Sequence, residues 1–577
     1  MNQITPHRQF SIRAGTVSGS NKQTGVELGD AEFATHMAVY GGTGKGKSKF
    51  LELILRQIID QRRGACIIDP HGDLVEDLLM YIMQKKDALD PRLAKRIHYF
   101  EPGSKNCRFS FDPFQYRGSE EGDHDYEDWL KAKVESVAKI VIRKQGESDF
   151  QGRPRLERFL NAVLYGVGTR INQKGDHLPL ADAEILLMSA HPYHAKVSPF
   201  LPPEVLQDFK KVWTSKPREL EEWAGSTINR LRSFLSPAVK SLFANQTKEV
   251  LDFRSIVEGQ GIMLVNLRRT RSFTLDQANA IGGLFINEVL EAVETAGRTK
   301  RTPFFLFIDE ASRFIGQDLI DALAQFRKYK LSLCLAVQDL SSLKGKEIDM
   351  GPKVMSQCGI QVTFQQKFPD DVETFANMFG VPDLDFTRLV HEVDRPDGYE
   401  AIETRTETLG SSRTENSGTM VGEGRQTDPD GTLVSRSTKE GKNTGTTTGE
   451  TSSYQYGKQY LGKTRVESRD MGRLQTAVMD QLYRMRRDIS TLGKGEAMVL
   501  IDGANPFVLN VHEVIAPFST CSPEKRLNVL EKYKVHICRH HPYSFSKSPA
   551  SNEAQSSSFP GGPGEGANAS EELDDPF

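Results

Sequence analysis

At His36–Ser48 the chain reads HMAVYGGTGKGKS. An apolar run, Met37–Tyr40, leads into the pattern G-x-x-x-x-G-K-[ST] at Gly41–Ser48, and a helical pattern, KFLELILRQIID, follows. This is the strand, loop and helix of a P-loop. Gly41, Gly42, Gly44 and Gly46 let the backbone turn tightly, so that its amides face phosphate oxygens from the head of the helix. Lys47 is expected to reach the β- and γ-phosphates, and Ser48 to place its hydroxyl on Mg²⁺. Thr43 and Lys45 fill variable positions of the nucleotide-binding loop, where a solvated side chain is the ordinary reading.

Working outward, the pattern stays that of buried strands alternating with helices. Phe50, Ile54 and Ile58 recur four apart on one helical stripe, and ACIID (65–69) and IHYFEP (97–102) read as further strands. Continuous apolar strands between amphipathic helices imply a parallel sheet covered on both faces. From 123 to 252 the periodicity becomes helical throughout, with proline-rich joints such as HPYHAKVSPFLPPE, which predicts an inserted all-α domain. Strands then resume: GIMLVNL (261–267), FFLFIDE (304–310), LSLCLAVQ (331–338) and GIQVTF (359–364). Helices are expected near 278–295 and 318–328.

Between Arg405 and Lys458 about half of the residues are Gly, Ser or Thr, with only five Leu, Val or Met. Such a segment buries too little apolar surface to offset its ordering entropy, so a mobile insertion is expected. Strand patterns return in GEAMVLID (495–502) and PFVLNVHEV. The organisation predicted is an N-terminal segment (1–35), a first part of the nucleotide-binding domain (36–122), the all-α insertion (123–252), and a second part (253–404). The flexible insertion (405–458), returning strands (459–545) and a disordered tail (546–577) follow.

The 577 residues carry a net charge of −3, with 38% hydrophobic and 26% charged residues. That balance argues neither for nor against nucleic acid. The tail from Ala550 holds six acids and no base, which leaves the preceding residues mildly basic at +3. No apolar run approaches the ~18–20 residues needed to span a bilayer, and the N-terminal stretch lacks the apolar core of a secretory signal. Six scattered cysteines without a CxxC pair suit a reduced, cytoplasmic protein.

A P-loop needs a carboxylate at the end of a neighbouring strand, and FFLFIDE supplies two. Asp309 is the candidate for the Mg²⁺ shell, and Glu310 for orienting or deprotonating the attacking water. A strand-end glutamate favours an ATPase of the motor type. Gln338 ends the next strand and is placed to sense the γ-phosphate, a strand-end amide cap being the alternative. Arg327, in QFRKYK, reads by itself as dipole compensation at a helix C-terminus.

The motifs HMAVYGGTGKGKS, ACIIDPHGDL, FFLFIDEASRF and RKYKLSLCLAVQDLSSL, in that order, resemble the FtsK–HerA motor superfamily. Within it they are most similar to type IV coupling proteins of the TraG/TraD kind. The segments STINRLRSFLSPAVKSLF and GIQVTFQQKFPDDVETFANMFG extend the likeness over most of residues 30–400. The resemblance implies a RecA-like sheet, a homo-hexameric ring, and ATP hydrolysis that pulls DNA through the channel. It also implies that Arg327 is an arginine finger and Gln338 a sensor. A relaxase, its relaxosome and secretion-system ATPases become the expected partners. Membrane-anchored members begin with transmembrane helices, whereas this sequence reaches its P-loop after 40 residues. A separate anchor subunit at the inner membrane, or a soluble motor, would account for that. A HerA-like translocase paired with a nuclease, and an ATP-gated adaptor for protein substrates, are the rival functions.

Three weaker features remain. Cys521, His536, Cys538, His540 and His541 gather near the C-terminus without a standard zinc spacing. His71, in DPHGD, reads as a turn residue. The chain ends in an acidic tip, Glu571, Glu572, Asp574, Asp575 and Phe577, suited to a basic rim around an apolar pocket on a partner. Against a merely solubilising tail, this tip resembles the acidic end of bacterial single-stranded-DNA-binding proteins.

Overall fold

The computed structural model describes residues 10–545 except 19–22, 105–107, 117–125, 143–153, 297–300, 345–348, 381–394, 411–419, 428–432, 442–450, 466–477 and the single residues 173, 246, 248, 315 and 503. Two compact units emerge along the chain, one formed by Met1–Val381 with Asp480–Phe577 and the other by Pro382–Met479.

The first unit is built on an 11-stranded sheet. Its strands are β1 (Ser11–Ser18), β2 (Gln23–Gly29), β3 (Met37–Tyr40), β4 (Gly64–Asp69) and β5 (Ile97–Phe100). They continue with β6 (Ile262–Asn266), β7 (Phe304–Ile308), β8 (Leu331–Val337), β9 (Ile360–Thr363), β10 (Glu496–Ile501) and β11 (Phe507–Val511). The spatial order is β2-β1-β11-β10-β9-β3-β8-β7-β4-β6-β5. From β9 to β5 the strands run parallel. The remaining four pair antiparallel. The α/β parallel sheet read from the apolar runs is therefore present, and every residue of β3, β4 and β8 is buried.

Alternation across the strands sorts the core into two faces. Met37 and Val39 join Phe50, Ile54 and Ile58 of helix α1 (Lys47–Asp60) on one side. Ala38 and Tyr40 join the other side, together with Cys66 and Ile68. That is the period of two expected of a strand covered on both faces. The helical insertion contributes to the second face. Its helices Tyr126–Ile142, Pro154–Gly168, Pro203–Thr214 and Pro217–Phe234 share one apolar core with the sheet and with helix Leu275–Thr295. Lys133 is buried there and pairs with Glu288 and, at 2.5 Å, Glu291, so an otherwise costly cation is matched by two carboxylates.

Three features differ from the sequence reading. Residues 1–35 contain strands β1 and β2, which extend the sheet beyond β11. Gly15 is required there, because a Cβ would come within 2.2 Å of the Asn510 carbonyl oxygen. The carboxylate strand β7 does not neighbour the P-loop strand β3: β8 lies between them and pairs with both. The helix expected over 318–328 ends at Gln325, and a 3-10 turn, Phe326–Tyr329, carries Arg327.

In the second unit the described residues of the Gly/Ser/Thr-rich stretch pair as antiparallel strands. Arg395–Gly410 pairs with Thr451–Arg465, and Met420–Thr427 with Leu433–Gly441. Polar strands of this kind satisfy their backbone groups by mutual pairing, which does not require the apolar content that the composition lacks. The tail 546–577, with its acidic tip, lies outside the described residues.

Candidate active site

The P-loop leaves the C-terminal end of β3 and enters α1 through left-handed backbone at Gly44 (φ 78°) and Gly46 (φ 117°). A side chain at Gly46 would also press on Phe364, whose Cε1 lies 3.0 Å from an ideal Cβ. Above Gly42 and Gly44 there is open space. Gly41 N donates to the Val337 carbonyl (3.1 Å), which ties the loop to the end of β8. Thr43 and Ser48 are exposed, Lys45 is half-buried, and Lys47 is buried at 7% exposure.

Lys47 points at the neighbouring strand ends. Its Nζ lies 3.1 Å from Asp309 Oδ1, and Asp309 is itself 6% exposed. The same carboxylate oxygen accepts from Glu310 N (2.9 Å), while Asp309 N donates to the Ile68 carbonyl (3.0 Å). The strand-end acid read from the sequence therefore meets the P-loop lysine, despite the intervening strand. Twist and the common C-terminal ends of parallel strands bring them to one rim.

Glu310 follows in the left-handed region, at φ 46°. A non-glycine residue held there is costly and is tolerated where the surroundings over-determine it. They do so here. Its Oε1 accepts from His71 Nε2 (2.6 Å) and from Gln338 Nε2 (3.0 Å), and its Oε2 pairs with Arg313. Burial pushes the Glu310 carboxyl up, but the hydrogen bond from His71 and the Arg313 charge outweigh it and hold it below the usual glutamate range. The group is thus an ionised carboxylate with a fixed orientation.

Gln338 is at the site, as the sequence order suggested. Arg327 is not. It is exposed in the turn before β8, at the opposite end of the strands from the P-loop, the end at which His36 precedes β3. Burial drives the His36 pKa down to about 4, with the Arg327 charge acting in the same direction.

His71 is the residue that pattern reading undervalued. Its backbone does make the expected turn, with His71 N donating to Asp69 Oδ1 (2.9 Å). Its imidazole nevertheless reaches Glu310. Asp69, 1% exposed, also accepts from Val75 N at 3.1 Å. Burial pushes its carboxyl up, and the nearby Asp309 charge adds to the shift. The strand-end position of DPHGD on β4, next to β7, was the available signal. Arg313 carried none beyond its three-residue spacing from Glu310.

The C-terminal Cys/His gathering has other employment. His541 Nε2 meets the Ile97 carbonyl at 2.7 Å, and His536 and His540 pack against each other at 4.8 Å between ring centroids. Among the described residues no group of three or more His, Cys, Asp or Glu is arranged to hold a metal. Nor is any described helix long and apolar enough to cross a membrane.

With that geometry in view, two family models match the sequence. "Helicase HerA, central domain" covers residues 12–135, and "TraM recognition site of TraD and TraG" covers residues 303–423. The resemblance to TraG/TraD-type coupling proteins of the FtsK–HerA superfamily is borne out. The HerA match spans β1 to the start of the helical insertion and includes the P-loop. The TraD/TraG match begins at β7 and takes in Asp309, Glu310, Arg327 and Gln338.

Solved structures of the plasmid coupling protein TrwB share the fold. The complex with ADP and Mg²⁺ has a TM-score of 0.50 at 13% identity, covering 89% of this chain and 97% of that one. The complex with the non-hydrolysable ATP analogue ADPNP has a TM-score of 0.50 at 13% identity, covering 90% and 98%. No curated protein sequence matches the chain.

Proposed function

We propose that the chain is an ATP-driven ring motor that moves DNA, serving as the coupling protein of a type IV secretion channel. One observation carries this reading: Lys47, Asp309, Glu310 and Gln338 converge on one rim, while Arg327 stands at the other end of the strands. The hydrolytic half of the site is assembled within the chain, and the finger would come from a neighbour.

The residues present suit a nucleoside triphosphate with a divalent cation. The loop is open above Gly42 and Gly44, one buried lysine faces it, and the acid paired to that lysine stands beside a second, ionised acid. Lys47 would hold the β- and γ-phosphates, with Gly41 to Ser48 supplying backbone amides. Ser48 and Asp309 would hold Mg²⁺, which neutralises charge on the phosphates when bound. Glu310 takes a proton from the attacking water, its carboxylate fixed by His71 and Gln338. That TrwB binds ADP with Mg²⁺ in the same fold supports the choice of nucleotide.

Partners follow from the same reading. The TraD/TraG recognition match supports a relaxosome or relaxase, and the acidic tip Glu571–Phe577 is assigned to docking on a basic partner surface. The protein acts in the cytoplasm. The HerA central-domain match favours one rival, a translocase working with a nuclease.

The deciding measurement is ATP turnover of the full chain with and without DNA. Stimulation by DNA, rising with protein concentration, is the expected result. Turnover indifferent to both would sink the motor reading and leave an ATP-gated adaptor. Co-purification with a relaxase or with a nuclease separates the two motor roles.

A further inference from the structure

The loop after β6 places Arg268, Arg269 and Arg271 within four residues and divides them between two tasks. Arg268 is committed. Its guanidinium donates to the His71 carbonyl (2.9 Å), to Asp73 (2.6 Å) and to both oxygens of Glu76 (3.3 and 3.2 Å). Those bonds clip the loop to the turn that carries His71. The two neighbouring carboxylates are spent on Arg268, and Glu76 also pairs with Lys534 at 3.2 Å.

Arg269 and Arg271 are exposed, and among the described residues neither side chain has an ion pair or hydrogen bond. The turn that presents them is nonetheless firm. Thr270 N donates to the Phe273 carbonyl (3.1 Å), Phe273 N returns the bond (3.4 Å), and the Phe273 ring is fully buried. Gly103 packs so closely that an added Cβ would lie 2.9 Å from Thr270 Cγ2. Pro70, His71, Arg268, Arg269, Thr270 and Thr274 line an open cleft of about 500 Å³. His71 is therefore on the wall of a cationic cleft while its Nε2 lies 2.6 Å from Glu310.

We propose that Arg269 and Arg271 bind phosphates of a nucleic-acid backbone, and that Arg268 and His71 carry the occupancy of this turn to Glu310. The inference rests on the DNA-motor reading above. Two uncommitted guanidinium forks on a rigid, solvent-open turn suit a polymer of phosphates, whose bound counterions are released on contact. A backbone drawn onto the turn pulls on Arg268, which holds the His71 carbonyl. The imidazole on that same residue is one of the groups that aim the Glu310 carboxylate. Arg268 and His71 are positioning residues in this scheme, and hydrolysis becomes responsive to DNA without any contact between DNA and the nucleotide.

The test uses the full chain with labelled single- and double-stranded oligonucleotides, read by anisotropy across a salt series, and ATP turnover with and without the same oligonucleotides. In the Arg269→Ala/Arg271→Ala double variant the slope of log K against log salt should shallow by about 1.4–1.8, the share of two phosphate contacts. Its ratio of stimulated to basal turnover should fall toward one, and the Arg269→Lys/Arg271→Lys variant should recover most of the binding. Arg268→Ala and His71→Ala should bind oligonucleotide nearly as wild type yet lose stimulation, with melting curves reporting that they fold. His71→Gln, which keeps a donor, should regain part of the ratio.

An unchanged salt slope in the double-alanine variant overturns the proposal. So does a double-alanine variant that loses binding to labelled poly-glutamate, titrated in the same anisotropy assay, while its oligonucleotide binding stays intact, which would make an acidic protein the occupant. Collapse of DNA-free turnover in that variant would instead assign the arginines to a neighbour's nucleotide. A wild-type protein that neither binds nor responds to either oligonucleotide removes the motor reading itself, a result distinct from all three.

Discussion

His71 Nε2 stands 2.6 Å from Glu310 Oε1, joining the turn after β4 to the end of β7 across 239 residues of sequence. With Gln338 on the same oxygen at 3.0 Å and Arg313 on the other, both carboxylate oxygens are engaged. If Glu310 is the base proposed above, it is organised before substrate arrives, so its orientation costs nothing during the reaction.

Glu310→Gln should therefore bind ATP and fail to hydrolyse it, with kcat lower by ~10²–10⁴, the usual worth of a general base. Lys47→Ala should lose nucleotide affinity as well, and Asp309→Ala should lose the Mg²⁺-dependent part of binding. Equilibrium binding of a labelled nucleotide, beside steady-state turnover, separates these outcomes. Wild-type turnover in Glu310→Gln would remove the base assignment.

Arg327 lies at the far end of the strands from its own P-loop, and the ring proposal gives it a neighbour's nucleotide to act on. Arginine fingers of this kind contribute ~10³–10⁵ in rate. Mixing Arg327→Ala subunits into wild type at fixed total protein should depress activity more steeply than their mole fraction. A loss strictly proportional to the fraction of variant would count against a shared site.

Gly72 begins helix α2 (Asp73–Met83) in the left-handed region, at φ 86°. A Cβ there would come within 2.3 Å of Asn266 Oδ1, the atom that accepts from Arg268 N at 3.0 Å. Gly72→Ala should cost about 1–3 kcal/mol from backbone strain alone. Displacement of Asn266 should also reduce turnover, by loosening the His71 turn. Thermal melting and ATP turnover of the variant check the two effects together, and a melting curve like wild type would contradict the first.

His177 sits 3.1 Å from Asp112, both nearly buried. Burial disfavours the charged imidazole, but the hydrogen bond and charge of Asp112 outweigh it, so His177 titrates above its ordinary 6.5. The folded state then holds a proton that the unfolded chain releases. The resulting stability is complete below 6.5 and is lost as the pH rises through the raised value. Asp112→Asn should accordingly destabilise more at about pH 6 than at about pH 9 in urea titrations. An equal loss at both would show that the pair is not protonated.

Local pattern was sufficient for much of this protein. The glycines and lysine of Gly41–Ser48, the apolar runs of β4, β7 and β8, and the acids that end FFLFIDE each state their role within a few residues, because strand period and phosphate-loop chemistry are short-range. The same runs implied a parallel sheet, since a strand apolar on both faces must be covered on both. Other relationships were decided only by the fold. That β8 lies between the P-loop strand and β7 depends on pairing order, for which an apolar run carries no address. Gly15 reads as an ordinary glycine until Asn510 is packed against it. His71 and Gln338 converge on Glu310 because parallel strands end on a common rim, and that convergence joins positions up to 239 residues apart. Arg327 shows the same limit from the other side: its sequence neighbours β8, whose far end reaches the site, yet the direction of the strand carries the arginine away from it.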